Sequence, residues 1–323
     1  ITGMPDGVFS NINSGGIQTG IDLVNNPLVK AVGFTGSLNA GRSLLNLANK
    51  RDEPIPVFAE MGSVNPVIIL PEILKKDLND LAINYAKSIT LGSGQFCTNP
   101  GIIIGLKSAV FTQFVNSLSS NILDISPSCM LHPNILKNFE KNKNALITKN
   151  NVKVVAEFKA STKPNYPKQT LALVSGADFI NDKNLEEEIF GPFSLFVECE
   201  NMNQLKSVIK QINGQLTGTI LATNNEMLMN KDLIDILKER VGRVIFNGVP
   251  TGVEVSPSML HGGPYPASTD SRFTAVGIKS IDRWVRPLSY QDFPNELLPD
   301  SLKNNNPKNI LRLVNGVYTK NKI

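Results

Sequence analysis

The sequence predicts an α/β fold, and three observations carry that prediction. Strand-sized apolar runs such as Val67-Ile68-Ile69-Leu70 and Ile102-Ile103-Ile104 recur along the chain, and helical patterns stand between them. The chain's 323 residues, 41% of them apolar, are enough to bury a substantial core, with a length that suits about two domains. Such alternation is the rhythm of a parallel, doubly wound sheet.

Taken in order, Val29 to Phe34 reads as a buried strand and residues 38 to 49 as a helix with Leu38, Leu44, Leu45 and Ala48 on its apolar face. Pro56 to Glu60 reads as a second strand. From Ser63 the alternation continues through a strand at Val67 to Leu70, a helix around 77 to 91, a strand at Gly101 to Gly105 and a helix around 109 to 119. Lys137, Lys141, Lys143, Lys149 and Lys153 stand among asparagines, which reads as a solvated helix and loop rather than a cationic docking surface. Strands follow at 152 to 156, 170 to 174, 194 to 198, 219 to 222 and 243 to 246, with helices near 203 to 212 and 227 to 240 between the last three. Beyond Pro287 the chain is rich in Pro, Asn and Asp, so this tail is expected to wrap or dock rather than build a core.

Composition excludes several functions. The 32 basic and 28 acidic side chains are interspersed, and a net charge of +4 without a basic stripe gives no nucleic-acid groove. The apolar runs are too short to cross a bilayer as helices. Cys97, Cys129 and Cys199 form neither a disulfide framework nor a CxxC signature, and His132 and His261 look too few and too isolated for a metal centre. No metal is therefore expected, and a reducing, cytoplasmic setting fits. There is no secretory signal at residue 1, and the opening on Ile1 rather than Met predicts a longer natural chain.

Four segments could carry chemistry. Val32-Gly33-Phe34-Thr35-Gly36-Ser37 runs from a strand into a turn and a helix N-terminus, which either presents N–H groups to a phosphate or is an ordinary cap at Ser37. Gly92-Ser93-Gly94-Gln95-Phe96-Cys97-Thr98 places a cysteine among small residues at a turn. Its thiol can be a nucleophile and its N–H an oxyanion donor, although an isolated cysteine is more often buried and inert, as Cys129 and Cys199 are read to be. A thiol mechanism needs a base, and with both histidines in awkward contexts a carboxylate is the better candidate. Glu60 ends an apolar strand against Gly62, a position that raises a carboxyl pKa unless the side chain simply faces water. In Glu186-Glu187-Glu188-Ile189-Phe190-Gly191-Pro192 the acids read as a solvated helix start or as acceptors for ribose hydroxyls, and the sequence alone favours solvation.

In their order, FTGS, a glutamate before a glycine, GQFCT and EEIFGP resemble the motifs of the aldehyde dehydrogenase superfamily along almost the whole chain. The segments at 54–63, 246–255 and His261-Gly262-Gly263-Pro264-Tyr265-Pro266-Ala267-Ser268 most resemble the branch of α-ketoglutarate semialdehyde and NADP-dependent fatty aldehyde dehydrogenases. The resemblance implies a partial Rossmann-type cofactor domain over residues 1–62, an α/β catalytic domain over 63–287 and an oligomerisation tail over 288–323. It implies Cys97 as nucleophile and Glu60 as general base. Thr35, Gly36 and Ser37 would lie beside nicotinamide and pyrophosphate, and Glu188 and Phe190 would hold the nicotinamide ribose and ring. The cofactor would be NADP or NAD, the substrate a small aldehyde, and the assembly a homodimer or homotetramer. Relatives begin with a further segment that carries a lysine near the adenosine ribose and an oxyanion-hole asparagine, neither of which has a counterpart here. Arg272 and Arg283 are candidates to meet a substrate carboxylate only by their nearness to the branch-specific segment. The competing reading is an inactive scaffold, against which the joint retention of Cys97, Glu60 and Glu188 speaks.

Overall fold

A computed structural model of the chain describes residues 3–160 and 163–323. They form two compact units, one ending at Arg283 and the other running from Trp284 to Ile323. The first unit opens with α1 (Ile17–Asn25), β1 (Val32–Thr35), α2 (Leu38–Asn49) and β2 (Val57–Glu60). β1 and β2 pair in parallel, which sets Thr35 opposite Glu60. The side chain of Ser37 accepts a hydrogen bond from the Ala40 N–H and starts α2. This helix lies so close to the end of β2 that a Cβ on Gly41 would come within 2.6 Å of Met61 Sδ. Val24, Ala48, Ile55, Val57, Ala59 and Met61 form the core here.

The same unit continues with β3 (Val67–Ile69), α3 (Pro71–Thr90), β4 (Ile102–Leu106), α4 (Ala109–Leu123), α5 (Pro133–Ile147), β5 (Lys153–Glu157) and β6 (Thr170–Ser175). Then come α6 (Gly176–Asn181), β7 (Phe193–Cys199), α7 (Met202–Gln211), β8 (Gln215–Leu221), α8 (Asn224–Met229), α9 (Asp232–Lys238) and β9 (Val241–Phe246). Among the described residues, β3 to β9 make one sheet of seven strands in the order β5-β6-β7-β4-β3-β8-β9. All of its pairings are parallel except β5 with β6. Helices cover both faces, so the central strands β3 and β8 are buried at every position instead of alternating. Phe111 and Phe114 of α4 meet Phe196 of β7 edge-on, with ring centroids 6.2 and 6.3 Å apart. The second unit contains an antiparallel pair, β10 (Arg312–Val314) and β11 (Val317–Thr319).

Several boundaries differ from the sequence expectation. β1 begins at Val32 rather than Val29, because the Val29 N–H closes a turn on the Asn26 carbonyl. α3 begins at Pro71, well before residue 77. Proline at its first position and Glu72 in its first turn start it, while the Lys75-Lys76-Asp77 run that hid the pattern surrounds a kink at Asp77. The helix expected over 227–240 is two helices, the first started by a reciprocal cap between Thr223 and Glu226. The three acids at 186–188 do not open a helix; Glu186 ends a short 3₁₀ turn that starts at Lys183. Lys143 overturns the solvated reading of the lysine-rich segment at its own position. It is 2% exposed, held between Glu140 at 2.8 Å and Glu157 at 3.4 Å. No helix among the described residues is long and apolar enough to cross a membrane.

Candidate active site

Three chain segments meet where the C-terminal ends of β1 and β2 face the N-terminal entries of β3, β4, β7 and β8. The first segment is the end of β2. Glu60 is buried; its backbone carbonyl accepts from the Gly36 N–H at 3.1 Å, and its residue bridges to Ser268 in an isolated antiparallel pair.

The second segment is the turn after α3. Gly92, Ser93 and Gly94 all have left-handed φ values of 56°, 58° and 67°, a run that reverses the chain at once and delivers Cys97 to the site. Ser93 keeps this unfavourable backbone because its hydroxyl donates to the Ser128 carbonyl at 2.7 Å. Gly94 admits no side chain, since a Cβ would stand 2.2 Å from the Gly191 carbonyl carbon. Asn65, which is fully buried, then pins the turn. Its amide nitrogen donates to the carbonyls of Cys97 and Asn99, both at 2.9 Å, and its oxygen accepts from Thr217 at 3.0 Å. No backbone carbonyl among the described residues accepts the Cys97 N–H.

The third segment, 261–269, lies along β2. The Met61 N–H donates to the Ala267 carbonyl at 2.8 Å, and the Thr269 N–H to the Ala59 carbonyl at 3.0 Å. Glycines let this segment approach the large sheet backbone to backbone. A Cβ on Gly242 would meet the Gly262 oxygen at 1.9 Å, and one on Gly263 would meet the Gln215 oxygen at 2.1 Å. The result is to seat His261, buried, beside both other groups. Its Nε2 lies 3.3 Å from Cys97 Sγ and 3.1 Å from Glu60 Oε1.

The structure thus corrects the sequence reading of the histidines. His261 is neither isolated nor awkwardly placed; it stands between the thiol and the carboxylate. Burial works against charging its ring, but hydrogen bonds to Cys97 and Glu60, with the charges of those groups, outweigh burial and push its pKa up to about 9. One Nε2 nitrogen has two prospective partners, so its single N–H can serve only one of them at a time.

Glu188 meets the same region from the β7 side. Its Oε1 accepts from the Ser63 N–H at 3.2 Å, and its Oε2 lies where a Cβ on Gly62 would come within 2.6 Å. Burial pushes this carboxyl up to about 7, against the Ser63 N–H, which lowers it. Glu186 is spent on the Asn213 amide and backbone, and Glu187 faces solvent. Phe190 is partly exposed, and Asn99 ties its segment to the cysteine turn by donating to the Gly191 carbonyl at 3.1 Å. Thr35, Gly36 and Ser37 are exposed at the end of β1, and the cap at Ser37 is formed. Arg272 is exposed and forked on Asp270, and Arg283 donates to the Ser280 and Ala275 carbonyls. Arg243 on β9 is the arginine near Cys97. Burial lowers its pKa while the Cys97 charge opposes that shift, and its guanidinium donates to the Pro250 and Gly252 carbonyls.

Residues 2–268 match the family model described as the aldehyde dehydrogenase family. The chain belongs to the aldehyde dehydrogenase family. It is 43% identical to an α-ketoglutaric semialdehyde dehydrogenase of Acinetobacter baylyi, over 99% of this chain and 61% of that protein. It is 37% identical to α-ketoglutaric semialdehyde dehydrogenase 2 of Azospirillum brasilense, over 98% of this chain and 60% of that one. The chain therefore spans about three-fifths of the length of these curated relatives. A solved 1-pyrroline-5-carboxylate dehydrogenase shares this aldehyde dehydrogenase fold with a TM-score of 0.68 and 20% identity, over 83% of this chain and 52% of that one. Proline utilization A from Bdellovibrio bacteriovorus shares it with a TM-score of 0.69 and 21% identity, over 82% of this chain and 27% of that one.

Proposed function

We propose that the protein oxidises an aldehyde to a carboxylate through a thioester on Cys97, with NAD or NADP as hydride acceptor and α-ketoglutarate semialdehyde as substrate. The observation that carries this reading is the contact of Cys97, His261 and Glu60 in one cluster, the imidazole and carboxylate buried and the thiol partly open, a nucleophile with two proton-handling groups in reach. The exposed start of α2 at Thr35, Gly36 and Ser37 suits a pyrophosphate, and Glu188 offers a carboxylate to ribose hydroxyls beside Phe190. Nicotinamide, when bound, supplies the hydride acceptor.

Within this reading, the His261 N–H first supports negative charge on Cys97 Sγ as the sulfur adds to the aldehyde carbon. The Cys97 N–H stabilises the oxyanion of the thiohemiacetal. Loss of hydride leaves a thioester, whose sulfur no longer carries charge. The His261 N–H then turns to Glu60 and holds that carboxylate while it takes a proton from the hydrolytic water. Water adds to the acyl carbon, the carbon–sulfur bond breaks, and the carboxylate product leaves.

The substrate assignment draws on the names of the two curated relatives and on Arg243, the half-buried cation near Cys97, which suits the far carboxylate of a dicarboxylic semialdehyde. The test is the absorbance of reduced cofactor with α-ketoglutarate semialdehyde or a long-chain aldehyde, each with NAD and NADP, beside Cys97→Ala. Turnover of the semialdehyde that vanishes in the variant is expected. Preference for the long-chain aldehyde would overturn the substrate. Cofactor binding without oxidation of any aldehyde in a broad panel would replace the reaction by a scaffold role.

A further inference from the structure

We propose that Glu60, Cys97 and His261 also form a binding site for one borderline divalent cation, with zinc the best fit, and that the bound ion masks the Cys97 sulfur. The three donor atoms, a thiol sulfur, an imidazole nitrogen and a carboxylate oxygen, all lie within 4.8 Å of one another. A sulfur, a nitrogen and an oxygen are the donors that zinc takes, and three protein ligands leave a fourth position for water. Bond lengths of ~2.3 Å to sulfur and ~2.0 Å to nitrogen at a tetrahedral angle place those two ligands about 3.5 Å apart. The observed separation of Sγ and Nε2 is 3.3 Å, and that of Nε2 and Oε1 is 3.1 Å, so two edges of the ligand triangle are already close to the required size. Rotation about the Glu60 or Cys97 side-chain bonds adjusts the third.

The framework around the donors is set before any ion arrives. Glu60 sits in the backbone bridge to Ser268, the Cys97 carbonyl is held by Asn65, and the His261 backbone is fixed by Thr274 and Ala275. Glu60 and His261 are buried while Cys97 retains an open side, which leaves an entry path and room for the water ligand. Magnesium and calcium suit the cluster poorly, because they prefer six or more oxygen ligands and it offers a single carboxylate with sulfur and nitrogen. The nearby positive charge of Arg243 works against a cation, so the site should release its ion to a chelator rather than hold it as a structural centre. Binding expels to solvent the proton shared by the thiol and the imidazole, and it occupies the sulfur lone pair needed for attack.

Metal binding depends on the three side chains alone and is measured apart from aldehyde turnover. The purified protein, freed of metal, is titrated with Cd2+, whose bond to a thiolate absorbs in the near ultraviolet, and the Cd2+ is then competed off with Zn2+. One equivalent is expected to bind. The band should vanish in Cys97→Ala and remain in Cys129→Ser, and affinity should fall at least about tenfold in His261→Asn and in Glu60→Gln. A measurement on the unmodified protein guards against misfolded variants. Zn2+ should slow alkylation of Cys97 by iodoacetamide, and a chelator should restore the rate. An absorption band that survives Cys97→Ala, wild-type affinity in both the His261 and Glu60 variants, or alkylation indifferent to saturating Zn2+ would each overturn the proposal.

Discussion

The thiol side of the site and its proposed nucleotide side are built differently. Cys97, Glu60 and His261 come from three distant segments, and each is fixed by backbone bridges, a buried amide or glycines that admit no side chain. Thr35, Gly36 and Ser37 lie at an exposed strand end, held by the β1–β2 pairing, the Gly36 N–H on the Glu60 carbonyl and a helix cap at Ser37. The difference teaches that the reacting atoms need positions set to within fractions of an ångström, whereas a phosphate needs only a well-oriented row of N–H groups. Substitutions on the thiol side should therefore disturb chemistry, and those on the nucleotide side should disturb affinity.

Cys97→Ala should produce the largest effect. Turnover should drop by about 10⁴-fold or more while cofactor affinity, followed by fluorescence, stays within about twofold; a large loss of cofactor binding would break the contrast. His261→Asn should lower kcat by about 10²-fold or more with little change in the cofactor KM. It should also alter the pH dependence of stability. The His261 pKa is raised from its ordinary value of 6.5 to about 9, so the stabilisation from its charged contacts is full below about pH 6.5 and is lost as pH rises through about 9. Melting curves should show wild type and His261→Asn converging over that range.

Asn65→Ala tests how the turn is held. It strips a buried donor from the Cys97 and Asn99 carbonyls and should cost roughly 2–4 kcal/mol of stability in urea titrations, with a fall in kcat. On the other side, the Glu188 carboxyl is pushed up to about 7, so it gains a proton and loses acceptor capacity as pH falls below that value. The cofactor KM should rise on that acid limb, and Glu188→Gln should flatten the rise. The smallest effect is expected from Ser37→Ala, which removes an exposed cap worth about 1 kcal/mol and should raise the cofactor KM by a few-fold at unchanged kcat.

What the sequence made legible follows the same division. The α/β class and most strands were readable because buried parallel strands such as β3 and β4 are continuous apolar runs. Cys97 and Glu60 stood out because each lies in a short local pattern with glycine at hand. His261 did not, since its partners lie 164 and 201 residues away and nothing local marks the contact. The available clue was Gly263, two residues on, which together with Gly242 of β9 lets the segment press backbone to backbone against β8 and β9. Asn65 was hidden for a similar reason: its left-handed backbone and its reach to Cys97 appear only once β3 and β4 lie side by side. The start of α3 was masked by charged residues around the kink at Asp77.

If the proposed nucleotide site holds, Gly62 and Ser63 have a practical consequence for anyone wishing to change the preferred nucleotide. The Ser63 N–H grips Glu188 three residues after Glu60, and Gly62 is bare because the Glu188 carboxylate lies against it. A substitution placed there to retune nucleotide preference would drag Glu60, the proposed base, with it. On the rim, a Cβ on Gly36 would meet the Phe34 ring at 2.6 Å and the Gly36 N–H is bonded to the Glu60 carbonyl, whereas Thr35 and Ser37 are exposed, so mutant libraries aimed at swapping one dinucleotide for the other should be built at Thr35 and Ser37, with Gly36 and the Glu60–Ser63 stretch kept intact.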